Sequence, residues 1–178
     1  MTTDELKSLV RTVPDFPVPG VRFRDITTLV ADPAGLQSVI DHLTERASAL
    51  KPEAIAGIEA RGFLFGAAIA ARLGIGFVTV RKPGKLPVPV IARHYALEYG
   101  ADRLEIDPSL VREGQRIVLI DDLLATGGTA STAAALLREA GGVVTQAAFV
   151  IDLPDLGGAQ RLRREGIEVA AIMRFEGE

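Results

Sequence analysis

Apolar residues recur along this chain with two distinct periods. Leu36, Val39, Ile40, Leu43 and Ala47 fall at helical spacing behind Asp32-Pro33, a capping residue followed by proline at the first helical position. They predict a helix to about Leu50. Ala54–Ile58, Gly76–Val80, Arg116–Ile120, Val143–Ile151 and Glu168–Met173 are short, largely apolar runs that predict buried strands. An alanine-rich stretch ending at Leu73, then Thr129–Ala140 and Gly158–Glu165, predict the helices between them. Thr3 is placed to cap a short first helix, with Asp4 and Glu5 in its first turn. Pro14, Pro17, Pro19 and Gly20 predict one irregular loop, and residues 81 to 89 another. Val90–Glu98 and Arg103–Ile106 predict a hairpin turning through Tyr99-Gly100-Ala101-Asp102. Strands that alternate with helices and are themselves apolar imply an α/β fold, with a mainly parallel central sheet flanked by helices on both faces. In such sheets ligands bind beyond the carboxyl ends of the strands. Glu59–Gly62, Arg81–Lys85 and Asp121–Thr129 all fall there, so three polar loops are expected to converge on one site.

Composition narrows the class. A length of 178 residues suggests one domain, and 48% hydrophobic residues suffice for a sizeable core. A net charge of −3 and a pI near 5.5 argue against a general nucleic-acid partner. The absence of cysteine excludes disulfides, thiolate metal sites and cysteine nucleophiles. The polar, acidic start Met1-Thr2-Thr3-Asp4-Glu5 does not have the pattern of a signal peptide. The longest apolar stretch, Phe63 to Ala71, is far shorter than the roughly 20 residues a membrane span takes. A cytoplasmic protein with no membrane partner is expected.

The richest chemistry lies in Val118-Leu119-Ile120-Asp121-Asp122-Leu123-Leu124-Ala125-Thr126-Gly127-Gly128-Thr129. Two acids at the end of a buried strand can accept hydrogen bonds from vicinal ribose hydroxyls, or hold Mg²⁺ through water. They can equally cap a loop or face solvent. The glycines let successive backbone N–H groups turn toward one point, the threonines add donors, and a helix N-terminus favours a dianion. A lysine after the glycines, as a Walker A loop requires, is absent. Elsewhere, Arg61 sits between a strand and a helix, suited to an anion or to plain solvation. Arg81, Lys82 and Lys85 crowd a glycine–proline loop, where cations are commonly only solvated. Phe23 suits a core position as well as a ligand.

The strand, acid pair and T-G-G-T loop together resemble the ribose-phosphate-binding signature of the type I phosphoribosyltransferases. Further blocks resemble the adenine-specific members of that family: Asp15-Phe16-Pro17-Val18-Pro19-Gly20-Val21-Arg22-Phe23-Arg24-Asp25-Ile26, Glu59-Ala60-Arg61-Gly62-Phe63-Leu64-Phe65-Gly66, Arg81-Lys82-Pro83-Gly84-Lys85-Leu86-Pro87 and Leu97-Glu98-Tyr99-Gly100. The tail Asp155-Leu156-Gly157-Gly158 fits as well. The blocks stand in the right order over about residues 15 to 129.

The resemblance implies the type I phosphoribosyltransferase fold as a single domain over residues 1–178. A small base-binding hood would occupy about 1–32, and a mobile loop and hairpin about 81–106. It implies adenine and phosphoribosyl pyrophosphate as substrates, AMP as product, Mg²⁺ carried by pyrophosphate, and a homodimer. Asp121 and Asp122 would hold the ribose hydroxyls, and Ala125, Thr126, Gly127, Gly128 and Thr129 the 5-phosphate. Arg61 would meet the pyrophosphate, as would Arg81, Lys82 and Lys85, the latter three in the partner subunit's site. Phe23 would stack on the base, with backbone groups at Arg22 and Arg24 reading its edge. A cis peptide is implied at Glu59–Ala60. Relatives that use 6-oxopurines carry an aspartate where this chain has Ala125, so the acid–base group is expected at Glu98. Tyr99 would pack against the closed loop or bind the leaving group. A phosphoribosyltransferase for another purine base, or a non-enzymatic sensor of purines or phosphoribosyl pyrophosphate, are the alternatives.

Overall fold

The computed structural model describes residues 1–97 and 100–177. Five strands form one parallel sheet: β3 (Ala54–Ile58), β4 (Gly76–Val80), β7 (Arg116–Leu124), β8 (Val143–Asp152) and β9 (Glu168–Arg174), in the order β4-β3-β7-β8-β9. Alternate residues of these apolar strands serve two separate cores. Ala54, Ala56, Ile58, Ile117, Leu119 and Phe149 pack beneath α5 (Gly128–Glu139) and α6 (Gly158–Arg164). Ile55, Val118, Ile120, Ala148 and Val150 pack beneath α1 (Thr3–Ser8), α3 (Pro33–Ser48) and α4 (Arg61–Leu73). Burial on both faces explains why these strands lack the alternation of a half-exposed sheet. The expected α/β sheet is therefore present, with its carboxyl ends at one edge.

Several boundaries differ from expectation. The first helix is capped by Thr2 rather than Thr3. The Thr2 hydroxyl accepts from Glu5 N–H at 3.3 Å, and the Glu5 carboxylate accepts from Thr2 N–H at 2.8 Å, a reciprocal pair that Thr3 cannot make. Asp32 caps α3 as expected, accepting from Gly35 N–H at 2.7 Å. Pro14 is not in the loop but ends β1 (Arg11–Pro14), which pairs antiparallel with β2 (Arg22–Asp25). A short α2 (Thr27–Ala31) follows. The hairpin is present as β5 (Ile91–Leu97) and β6 (Gly100–Ile106), so Gly100 to Asp102 lie in a strand rather than in the turn. The largest difference is in β7. It does not stop at Ile120; Asp121 pairs with Phe149 and Leu123 with Ile151.

Asp25 anchors the β1–β2 ribbon to α2. It accepts from Arg11 Nε at 3.0 Å and from Thr27 N–H at 2.9 Å. The Thr27 hydrogen bonds, then Arg11, hold its pKa at about 2, below the ordinary 3.8. A depressed folded-state value stabilises the fold above the unfolded pKa, and that stability is lost as pH falls through the folded pKa. Discounted for screening by solvent, a shift of this size corresponds to about 1 kcal/mol. Asp25→Asn is therefore expected to lower Tm by roughly 3 °C at neutral pH. The gap should narrow between about pH 4 and pH 2. Thermal melts over that range check it; a constant gap would assign the effect to something other than the charge.

Candidate active site

The carboxyl edge of the sheet opens into a cleft of about 480 Å³. That volume lies within the range typical for small-molecule sites. Its wall is built by residues 58 to 61 from the last residue of β3 into α4, by Lys82 after β4, and by residues 121 to 130 from the end of β7 into α5. These are the same three segments the strand pattern brought to this edge. The Glu59–Ala60 peptide is cis.

The two acids enter the cleft from the strand itself. Asp122 is 3% exposed, and Arg61 Nε lies 2.7 Å from its Oδ2. The contact is an ion pair without hydrogen-bond alignment, so Oδ2 is a buried acceptor with no aligned donor. Such an oxygen is suited to a ligand hydroxyl. Asp121 Oδ1 accepts from Asp122 N–H at 3.0 Å. Burial pushes the Asp121 carboxyl well above the usual carboxylate range, and the neighbouring Asp122 charge adds to it. Burial also raises Asp122, against the pull of Arg61. Two adjacent carboxylates, one buried and one half-buried, favour any partner that brings hydroxyl donors or positive charge.

The loop behind them has the geometry of an anion cradle. Gly127 stands at φ +78° immediately before α5, whose N-terminus has no side-chain cap. The first N–H groups of that helix are directed at the cleft, which favours a phosphate. Glycine at 158 makes this loop possible from behind. A Cβ there would meet Ala125 O at 2.2 Å and Gly127 N at 2.9 Å. The role of Gly158 was legible only as part of a matching tail, since nothing local shows which loop it abuts.

The cations differ in placement. Arg61 reaches from Asp122 toward Phe23, its guanidinium carbon 5.7 Å from that ring. Phe23 is half-buried, lies edge-on to Phe16 at 5.1 Å, and belongs to neither buried cluster among the described residues. Arg81 Nε donates to Glu59 Oε2 at 2.9 Å, and Lys82 N–H to the same oxygen at 2.9 Å. Glu59 is held below its ordinary pKa chiefly by Arg81. No local signal marks Glu59 as the partner of Arg81, which stands 22 positions further along the chain. Lys82 lines the cleft of its own chain, whereas Lys85 is exposed outside it. Arg22 is exposed. The Arg24 side chain is turned to Thr12 at 2.8 Å and stacks 4.6 Å from the Phe175 ring. Glu98 and Tyr99 lie outside the described residues.

Fold and site together set a carboxylate pair beside a glycine-rich helix start at the carboxyl edge of a parallel sheet, and known proteins share that arrangement. The phosphoribosyl transferase domain family matches residues 25–165. An adenine phosphoribosyltransferase from Novosphingobium aromaticivorans is 66% identical over 177 residues, 99% of each chain. The crystal structure of the adenine phosphoribosyltransferase from Thermoanaerobacter pseudethanolicus superposes with a TM-score of 0.92 at 45% identity, covering 98% of this chain and 100% of that one. The Saccharomyces cerevisiae enzyme, complexed with adenine and an imino-altritol bisphosphate, gives 0.89 at 36% identity, covering 96% and 98%. The chain belongs to the phosphoribosyltransferase family, and within it to the adenine phosphoribosyltransferases.

Proposed function

We infer that this chain transfers the 5-phosphoribosyl group from phosphoribosyl pyrophosphate to adenine, giving AMP and pyrophosphate. The observation that carries the reading is the juxtaposition of the Asp121–Asp122 pair, Asp122 buried and Asp121 half-buried, with the Ala125–Thr129 cradle in one cleft. The acids orient the ribose hydroxyls while the cradle takes the 5-phosphate. The bond from the anomeric carbon to pyrophosphate breaks as the bond to the purine nitrogen forms. Arg61 and Lys82 stabilise charge on the leaving group, so catalysis rests on positioning and electrostatics. The yeast relative's complex with adenine and a sugar bisphosphate supports this pairing of ligands.

Phe23, beside Arg61, is the surface offered to the base, with main-chain groups of Arg22 and Arg24 at its edge. The Arg24 side chain is otherwise engaged, which suits reading by the backbone. Arg81 and Lys85, which do not line the cleft of their own chain, would reach the pyrophosphate in the partner subunit's site. Ala125 supplies no acid beside the base, so the proton exchange is assigned to Glu98. Asp121 and Asp122 would meet a pyrophosphate-borne Mg²⁺ through its water shell rather than as direct ligands. Among the described residues no three acidic or histidine side chains converge as a metal cage. Bound Mg²⁺ would neutralise charge on the pyrophosphate. Homodimer formation belongs to the same reading and rests on the family resemblance, while the cytoplasmic location is the expectation drawn from the sequence.

The test supplies Mg²⁺ and phosphoribosyl pyrophosphate with adenine, hypoxanthine, xanthine or orotate, and detects the nucleotide formed. AMP formation with adenine alone is expected. Turnover of hypoxanthine but not adenine would point to another base, and nucleotide formation from none of them to a sensor. In the same assay Glu98→Ala is expected to lower kcat by about 10² or more. A near-parental chemical step would remove Glu98 from the acid–base role.

A further inference from the structure

We propose that Asp102 and Tyr95 form a positioning pair for Lys82, fixing its ammonium at the cleft wall where the pyrophosphate of the substrate is received. The proposal rests on the reading of this chain as a phosphoribosyl pyrophosphate-dependent transferase. A lysine in a proline–glycine loop normally samples many rotamers, and ordering it costs side-chain entropy. Here that ordering is already present in the protein. Lys82 Nζ donates to Tyr95 OH at 2.8 Å and also to Asp102 Oδ2. Tyr95 OH donates to the same Asp102 oxygen at 2.9 Å, closing a triangle.

The fold makes that triangle rigid. Tyr95 and Asp102 are directly opposed in the β5–β6 register, so hydroxyl and carboxylate stand side by side. The Tyr95 ring is buried in the core beneath α5, which makes its hydroxyl a fixed point. Asp102 Oδ1 accepts from Arg103 N–H at 2.7 Å, which pins the carboxylate. At the other end, the Lys82 backbone is held by Glu59 at 2.9 Å. An ammonium has three donors and the triangle takes two. Lys82 lines the cleft, while neither Tyr95 nor Asp102 does. Burial alone pulls the Lys82 pKa down; the bonds to Asp102 and Tyr95 outweigh it and leave the ammonium firmly protonated. Asp102 is correspondingly held low, chiefly by Lys82. The pair thus acts on pyrophosphate only through Lys82. It also ties the cleft to the hairpin strand that leads to Glu98.

Kinetics of Asp102→Asn, Tyr95→Phe, Lys82→Ala and the double variant Lys82→Ala/Asp102→Asn test this, with calorimetric binding of Mg²⁺-pyrophosphate as the second measurement. Asp102→Asn is expected to raise KM for phosphoribosyl pyrophosphate and Kd for pyrophosphate by about five- to tenfold, with Tyr95→Phe smaller in the same sense. KM for adenine should stay within about twofold, and the double variant should be no worse than Lys82→Ala. Changes below about threefold in pyrophosphate affinity for Asp102→Asn, additive effects in the double variant, or an equal rise in KM for adenine would each overturn the proposal. If Asp102→Asn does not fold, Tyr95→Phe, which keeps the buried ring, decides by the same criteria. A parent chain that forms no AMP sinks the underlying reading instead, and the two failures are distinct.

Discussion

Asp122→Asn is expected to lower kcat/KM for phosphoribosyl pyrophosphate by about 10² to 10³ without lowering thermal stability. The side chain keeps its shape but loses its charge. A hydrogen bond to a charged acceptor is worth about 1.5–3 kcal/mol, and the ribose would lose at least one. Arg61, 2.7 Å away, loses the carboxylate that orients it, which adds to the deficit. Stability should move the other way. The Asp122 pKa is raised in the fold by burial, which costs folding free energy once the group ionises. The sign follows from linkage: a carboxyl with a raised folded value contributes most below its unfolded pKa of 3.8, and loses that contribution as pH rises through the folded value. At neutral pH the asparagine variant should therefore melt at or above the parent temperature. Below about pH 4 the difference should shrink. Steady-state kinetics and melts at several pH values measure both. A loss under about tenfold in kcat/KM, or a variant that melts well below the parent at pH 7, contradicts the account.

The second large effect is expected at Gly158, far from any reacting atom. Gly158→Ala places a methyl group 2.2 Å from Ala125 O, 2.9 Å from Gly127 N and 3.0 Å from Leu124 Cδ1. Two of those neighbours are backbone atoms of the phosphate cradle and cannot rotate aside. The loop must move by about 1 Å, and a misplacement of that size can cost about 10² in rate. KM for phosphoribosyl pyrophosphate should rise by roughly that factor, whereas KM for adenine should change little. Overpacking should also cost about 1–3 kcal/mol of stability. A rise in KM smaller than about fivefold in a folded variant would show that α6 does not shape the cradle.

The strand and helix centres were legible because burial on both faces of a parallel sheet leaves an apolar run, whatever the rest of the chain does. The boundaries were less so where polar residues stay inside an element. β7 continues through Asp121 and Asp122 because Phe149 and Ile151 offer it a ladder to pair with. A reader of local sequence sees two carboxylates and ends the strand there. Gly100 to Asp102 were placed in a turn for a similar reason, yet their strand pairs back to Ala96 and Tyr95. In both cases pairing with a distant strand outweighed local composition.

The sequence by itself determined the order of strand, acid pair and glycine–threonine loop, and with it the sugar-phosphate chemistry. Those features are local: a φ of +78° at Gly127 and an uncapped helix start depend on a few adjacent residues. Only the tertiary structure decided how the charges are paired. Arg61 meets Asp122 across 61 positions of chain, Lys82 meets Asp102 across 20, and Gly158 backs onto Ala125 from another helix. Burial and Coulomb interaction depend on distance in space. For that reason the raised acids, the fixed lysine and the shape of the cradle follow from the packed sheet and not from any one segment.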